Sequence, residues 1–132
     1  MIAFTGALPK DDAAMKRKLE QALCHAGNTH TLADIAALLA KGHAQWWCNG
    51  DGAVITEIFD HPQIRVVNYW LVAGKLGACL DLQAPIDAWA AGLGCVGATA
   101  SGRRQWTPVL QRHGWEPHAV QFHKRFRPEV AP

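Results

Sequence analysis

The stretch AQWWC-NGDG-AVITEIF-DHPQ-IRVVNYWLV, residues 44–72, decides the fold. Its three apolar runs, 44–48, 53–59 and 64–72, are rich in β-branched and aromatic residues, a composition typical of strands. The tetrapeptide at 49–52 is a strong hairpin signal, and the one at 60–63 has the residues of a second tight turn. We therefore expect three consecutive antiparallel strands.

Helical spacing of apolar residues surrounds this stretch. It predicts one helix over 11–25 and a second that begins at a capping box of Thr31 with Asp34. After Gly74 a firm helix should begin near residue 84, because Pro85 is tolerated in a first turn. A short strand at 95–100, a short helix at 103–113 and a last alternating strand at 117–126 complete the order ααβββαβαβ. We expect one mixed α/β (α+β) domain over residues 1–132.

Composition and charge indicate which kinds of partner to expect. The chain is 49% hydrophobic and has six Trp residues, more than one small core needs, so Trp46, Trp47 and Trp106 are predicted interface anchors. Residues 1–100 carry seven Lys/Arg and nine Asp/Glu, whereas residues 101–132 carry six and two. This basic C-terminal part, with Arg103 and Arg104, is either a solvated surface or a contact for nucleic acid, phosphate or an acidic protein.

Other classes of function find little support. The four Cys and seven His show no metal-binding spacing, so no metal site is predicted and the thiols are expected to be free. No secretory signal pattern and no membrane-spanning apolar run occur. We expect a cytosolic protein, or one delivered by some route other than secretion.

The order of elements resembles the GNAT N-acetyltransferase superfamily, whose sheet is mixed and mostly antiparallel, here of about five strands, with helices on both faces. Residues 102–115 sharpen the likeness, because Gly114-Trp115 matches the glycine–aromatic pair that ends the last helix in that family. The resemblance implies an acetyl-CoA diphosphate loop of the form Gln/Arg-x-x-Gly-x-Gly/Ala. Here that loop falls on residues 74–79, where Gly77 matches the central glycine, but Gly74 and Cys79 replace the outer residues.

The resemblance also implies candidate site residues. Gly74, Lys75, Gly77 and Ala78 would hold the coenzyme, and Glu57 would be the general base. The family's proton-donating Tyr aligns with Leu110, which carries no ionisable proton.

Two functions follow from this comparison. The first is a non-catalytic GNAT-fold interaction protein without a cofactor. It resembles small proteins encoded in the structural modules of tailed bacteriophages, which implies an internal virion or head-assembly role with virion proteins or a second copy as partners. The alternative is an acetyl-CoA-dependent N-acetyltransferase.

Overall fold

The computed structural model describes residues 3–5 and 13–126. It contains a five-stranded sheet in the order β1-β2-β3-β4-β5. The elements in chain order are β1 (Ala3–Thr5), α1 (Ala13–His25), α2 (Leu32–Ala40), β2 (Gln45–Cys48), β3 (Gly52–Asp60), β4 (Arg65–Gly74), α3 (Leu76–Asp81), α4 (Gln83–Gly92), β5 (Gly97–Ala100), a 3-10 turn (Arg104–Trp106) and α5 (Thr107–Arg112).

The sheet is mixed and mostly antiparallel, as predicted. Strands β1 to β4 pair antiparallel in sequence order, and β5 lies parallel to β4. The pairing of β3 with β4 slips by one residue: Ile55 lies opposite Leu71, but Thr56 lies opposite Tyr69. Trp70 is therefore the extra residue of a β-bulge, which bends and twists β4 at this point.

Helices cover both faces of the sheet, also as predicted. On one face, buried side chains of α1 and α2 form a core with Trp46, Ile55 and Leu71. Neighbouring residues of a strand point to opposite faces. Trp47 accordingly meets Trp89 of α4 on the other face, with ring centroids 5.4 Å apart.

The central prediction, three antiparallel strands joined by two tight turns, is confirmed as β2, β3 and β4. The capping box is also present: the Asp34 N–H donates to Thr31 Oγ1, and the Thr31 N–H donates to the Asp34 carboxylate. The predicted helix 11–25 is α1 from Ala13 onward, and residues 11 and 12 lie outside the described part.

Three details differ from the predicted order. A first strand, β1, pairs with β2, and no strand had been predicted at these residues. A helical segment, α3, precedes α4, and the two are separated at Leu82, three residues before Pro85. The predicted strand 117–126 is wrong: these residues adopt no regular structure, because no strand among the described residues pairs with them.

The Cα positions group into two compact units, residues 1–100 and 101–132. The first contains the sheet and helices α1 to α4, and the second contains the 3-10 turn and α5. The assignment of residues 1–132 to one domain stays a prediction. Within the described ranges, no helix is long and apolar enough to span a bilayer.

Candidate functional site

The turn from β4 into α3 contains all four predicted coenzyme-binding residues. Gly74 has φ +97°, a conformation that a Cβ disfavours, and the next residue, Lys75, donates its N–H to the Asp51 carbonyl at 2.9 Å. The side-chain amide of Asn49 donates to the Ala78 carbonyl at 2.7 Å. The β2–β3 hairpin therefore holds this turn in place.

Close packing beneath the turn fixes it further. A Cβ added at Gly52 would lie 2.9 Å from the Ala78 Cβ and 2.9 Å from the Cys79 nitrogen and sulfur, so only glycine fits here. The Cys79 thiol is buried and lies 3.2 Å from the Ala73 carbonyl oxygen. Burial raises the pKa of this thiol, so Cys79 is a packing residue and not a nucleophile.

The first turn of α3 offers backbone donors. The α-helical hydrogen bonds of this helix begin with the Cys79 N–H, which donates to the Lys75 carbonyl at 3.0 Å. The N–H groups of residues 76–78 precede that bond, as the first N–H groups of any helix do. The space around Gly77 is open. Backbone donors of this kind are what a diphosphate requires.

The charge around these donors is unfavourable for a diphosphate. A shallow depression of about 400 Å³ is lined by Asn49, Asp51, Lys75, Gly77, Ala78 and Asp81. Among the described residues that line it, the side chains supply one positive and two negative charges. A diphosphate placed here would meet a net negative lining, and α3, only six residues long, adds little compensating dipole. The residues of this turn therefore fit the coenzyme in backbone arrangement but not in charge.

The outer edge of β4 is open beyond the bulge. β5 pairs only with Val66–Tyr69. No described strand lies beside the outer edge of residues 70–74, and Val72 is 46% exposed there. This part of β4 therefore has no strand partner on that side among the described residues.

A row of three polar side chains crosses the sheet just before the unpaired part of β4. Glu57, Asn68 and Thr99 are direct neighbours on β3, β4 and β5. Thr99 Oγ1 donates to Asn68 Oδ1 at 2.9 Å, and Asn68 Nδ2 donates to Glu57 Oε1 at 3.2 Å. The predicted base, Glu57, is thus a half-buried carboxylate oriented by one amide.

The only tyrosine of the chain lies on the other face of the sheet. Tyr69 is 5% exposed and donates its hydroxyl to the Asp87 carboxylate of α4 at 2.6 Å. Burial, reinforced by this hydrogen bond, raises the pKa of the Tyr69 hydroxyl above its ordinary value. A phenol held in this way is a poor proton donor. Tyr69 therefore does not replace the proton-donating tyrosine whose expected position Leu110 occupies.

The structure corrects the prediction for two tryptophans. Trp46 and Trp47 are 3% and 4% exposed, so the first unit itself covers both side chains and neither is available to anchor a partner. Trp47 also donates its Nε1–H to Thr56 Oγ1 within the core. In the second unit, Trp106 is half-buried, whereas Arg103 and Arg104 are exposed.

A surface feature that the sequence did not indicate lies at one end of the sheet. Four exposed apolar side chains, which we call the Arg65 rim, lie at the same end of the sheet as Arg65: Phe59, Ile64, Leu93 and Val96, each 38–70% exposed. Val96 donates its N–H to the Arg65 carbonyl, and the Arg65 guanidinium donates to the Leu93 carbonyl and to Asp60. These bonds gather residues that are far apart in sequence.

Comparison with known proteins identifies the fold. No protein-family model and no curated protein sequence matches the chain. Solved structures do match: an aminoglycoside N-acetyltransferase AAC(6')-Iy in complex with CoA has a TM-score of 0.65 at 19% identity, covering 96% of each chain. Glucosamine-6-phosphate N-acetyltransferase from Arabidopsis thaliana has 0.61 at 11% identity, covering 96% of this chain and 99% of the other.

A putative acetyltransferase from Pyrococcus furiosus also matches, with a TM-score of 0.64 at 12% identity, covering 96% of this chain and all of the other. These neighbours have the GNAT acetyltransferase fold. The chain therefore has this fold too, as its order of elements predicted.

Proposed function

We propose that this chain is a GNAT-fold protein that acts by protein contact rather than by acyl transfer. The observation that carries the proposal is the Arg65 rim, a group of exposed apolar side chains at one end of the sheet. Exposed apolar surface concentrated in one region of a protein is typical of a binding site for another protein. We assign to the rim the contact with a partner protein that was predicted for Trp46 and Trp47.

A second copy of the chain is the partner that the rim fits best. Its apolar side chains flank an ion pair, Arg65 with Asp60, in which Arg65 Nε lies 2.6 Å from Asp60 Oδ1. A surface that carries both signs of charge beside apolar groups can complement itself across a two-fold axis. Four side chains are few against the roughly 20–30 residues that each partner contributes to a standard interface, so we expect weak, reversible association.

The depression at the β4–α3 turn supports the non-catalytic part of the proposal. Asp51 and Asp81 beside Lys75 disfavour the diphosphate of a coenzyme, and the chain has no tyrosine at position 110. The finer assignment, a virion or head-assembly protein in a bacterial host, rests on the resemblance of the sequence to small phage proteins and stays a prediction.

Sedimentation velocity over a range of protein concentrations tests the contact. We expect concentration-dependent association of the full chain that is weakened by the double substitution Phe59→Ser and Val96→Ser. The control Val72→Ser makes the same kind of change at another exposed apolar side chain and should leave association unchanged. A protein that stays monomeric at its highest soluble concentration, or association that resists the rim substitutions, would contradict this proposal.

A second candidate function, acetyl transfer, is favoured by the hydrogen-bonded row of Glu57, Asn68 and Thr99 beside the open edge of β4. In that case acetyl-CoA would supply the acyl group, and Glu57 would accept the proton released by an attacking amine. Turnover of acetyl-CoA by the full chain that is lost on Glu57→Gln would favour this function over the first.

A further inference from the structure

We propose that residues 117–126, together with the arginines of the second unit, bind single-stranded nucleic acid. This inference goes beyond contact between proteins, and it is independent of the Arg65 rim. Two phenylalanines are more exposed than any other large hydrophobic side chain among the described residues. Phe122 is 89% exposed and Phe126 is 92% exposed, and Val120 nearby is 65% exposed.

Rings so exposed are costly to leave in water. Burial of a large apolar side chain contributes roughly 1.5–3 kcal/mol of favourable free energy. Neither ring is buried within this chain, so neither makes this contribution. Residues 117–126 have no regular secondary structure and are exposed throughout. The two rings are therefore available to stack on a flat partner.

The charge of the segment selects the class of partner. His118, His123, Lys124 and Arg125 lie among the apolar side chains, and residues 117–126 contain no carboxylate. Over residues 101–126 there are five Lys/Arg, including Arg103 and Arg104, against the single acid Glu116. By contrast, residues 1–100 carry more acids than bases. The positive charge is therefore local to the second unit, and it favours a polyanion.

Exposed aromatic rings interleaved with cations match one polyanion best. Proteins bind single strands by stacking successive bases on aromatic side chains while cations follow the phosphates. In a duplex the base faces are already stacked and the rings could not reach them. A second copy of the same segment is a poorer partner, because pairing would bring the cations of both copies together.

Fluorescence anisotropy with labelled oligo(dT), a matched RNA strand and a duplex of equal length tests the inference on the full chain. We expect binding to both single strands at low salt, with the duplex bound more weakly. The substitutions Phe122→Ala and Phe126→Ala should each weaken binding by about five- to a hundredfold, the measured range for one stacked base. The control Val72→Ala removes exposed apolar surface from the first unit and should leave binding unchanged.

The salt dependence tests the cations separately. The double substitution Arg103→Glu and Arg104→Glu should lower the slope of log affinity against log salt by about 0.7 for each phosphate contact removed. The double substitution Arg17→Glu and Lys18→Glu changes the net charge equally on exposed residues of α1 and should preserve the slope.

Three results would overturn the inference. These are no binding at low salt, equal affinity for the phenylalanine variants and the unchanged chain, or a preference for the duplex. Self-association that disappears in the phenylalanine variants while no strand binds would instead assign the segment to pairing between copies. Because the rim substitutions leave the segment intact, a failed contact proposal and a failed nucleic-acid inference give different results.

Discussion

The Tyr69 hydroxyl donates a 2.6 Å hydrogen bond to the Asp87 carboxylate and thereby joins β4 to α4. Burial is the main reason that the pKa of Tyr69 is raised in the folded chain. In the unfolded chain this phenol titrates near pH 10. Folding therefore favours the protonated form, so the stability that Tyr69 contributes is complete below about pH 10 and declines as the pH rises above it.

We predict that the free energy of unfolding of the natural chain falls more steeply above pH 10 than that of a Tyr69→Phe variant. At neutral pH the variant should be less stable by about 1 kcal/mol, the cost of one hydrogen bond. Urea unfolding at pH 8 and pH 10.5 measures both effects. Tyrosinate absorbance reports this residue alone, since it is the only tyrosine; ionisation at pH 10 in the folded state would refute the prediction.

The buried hydroxyl of Thr56 links β3 to β2 on the face of the sheet that also carries Tyr69. Thr56 is fully buried, accepts a hydrogen bond from Trp47 Nε1 at 3.1 Å and donates one to Gln45 Oε1 at 2.8 Å. Thr56→Val keeps the shape but removes both bonds, so we expect a loss of about 1–3 kcal/mol in the free energy of unfolding. Thr56→Ser keeps the hydroxyl and should lose less. A Thr56→Val variant as stable as the natural chain in urea unfolding would show that the two hydrogen bonds add no net stability.

Much of this fold is encoded locally, and that part was predictable. The turn residues at 49–52 and 60–63 and the β-branched runs between them specify hairpins without help from distant residues, and β2, β3 and β4 follow them closely. The capping box of α2 is local in the same sense. The bulge at Trp70 was not predictable, because it exists only in the register of one strand against another.

Burial of the tryptophans depends on what packs over them. Trp46 and Trp47 look alike in sequence, but α1 and α2 cover one and α4 contacts the other. Residues 117–126 alternate as a strand does, but alternation alone does not provide a partner strand. The Arg65 rim was not predictable for a similar reason, since only the fold brings Leu93 and Val96 to Arg65.

Two glycines near the β4–α3 turn should respond in opposite ways to alanine. At Gly52 an added Cβ meets the Ala78 Cβ and the Cys79 backbone at 2.9 Å, so Gly52→Ala should destabilise the chain by about 1–3 kcal/mol through overpacking. Gly77 lies within α3 with open space around it, so Gly77→Ala should stabilise by up to about 1 kcal/mol. Thermal unfolding of the two variants measures both effects, and a destabilised Gly77→Ala variant would contradict the second prediction.

The negative charge at the β4–α3 turn should keep acetyl-CoA from binding there. Asp51 and Asp81 outnumber Lys75 in the lining of the depression, so acetyl-CoA at millimolar concentration should leave the melting temperature of the natural chain unchanged. The double substitution Asp51→Asn and Asp81→Asn leaves a net positive lining beside the first N–H groups of α3. We expect this variant to bind the coenzyme, and inorganic pyrophosphate as well, with a stabilisation of about 2.7 kcal/mol at 100 times the dissociation constant.

Two further variants test whether the coenzyme binds at this turn. Adding Lys75→Gln to the double variant should remove the stabilisation, since Lys75 is the only positive side chain among the described residues of the lining. Glu20→Gln removes an exposed negative charge from α1 and should produce no binding. A natural chain already stabilised by acetyl-CoA would show that the carboxylates do not exclude a diphosphate and would favour acetyl transfer. If the double variant also fails to respond, backbone geometry rather than charge keeps the coenzyme out, because both carboxylates have then been removed without effect.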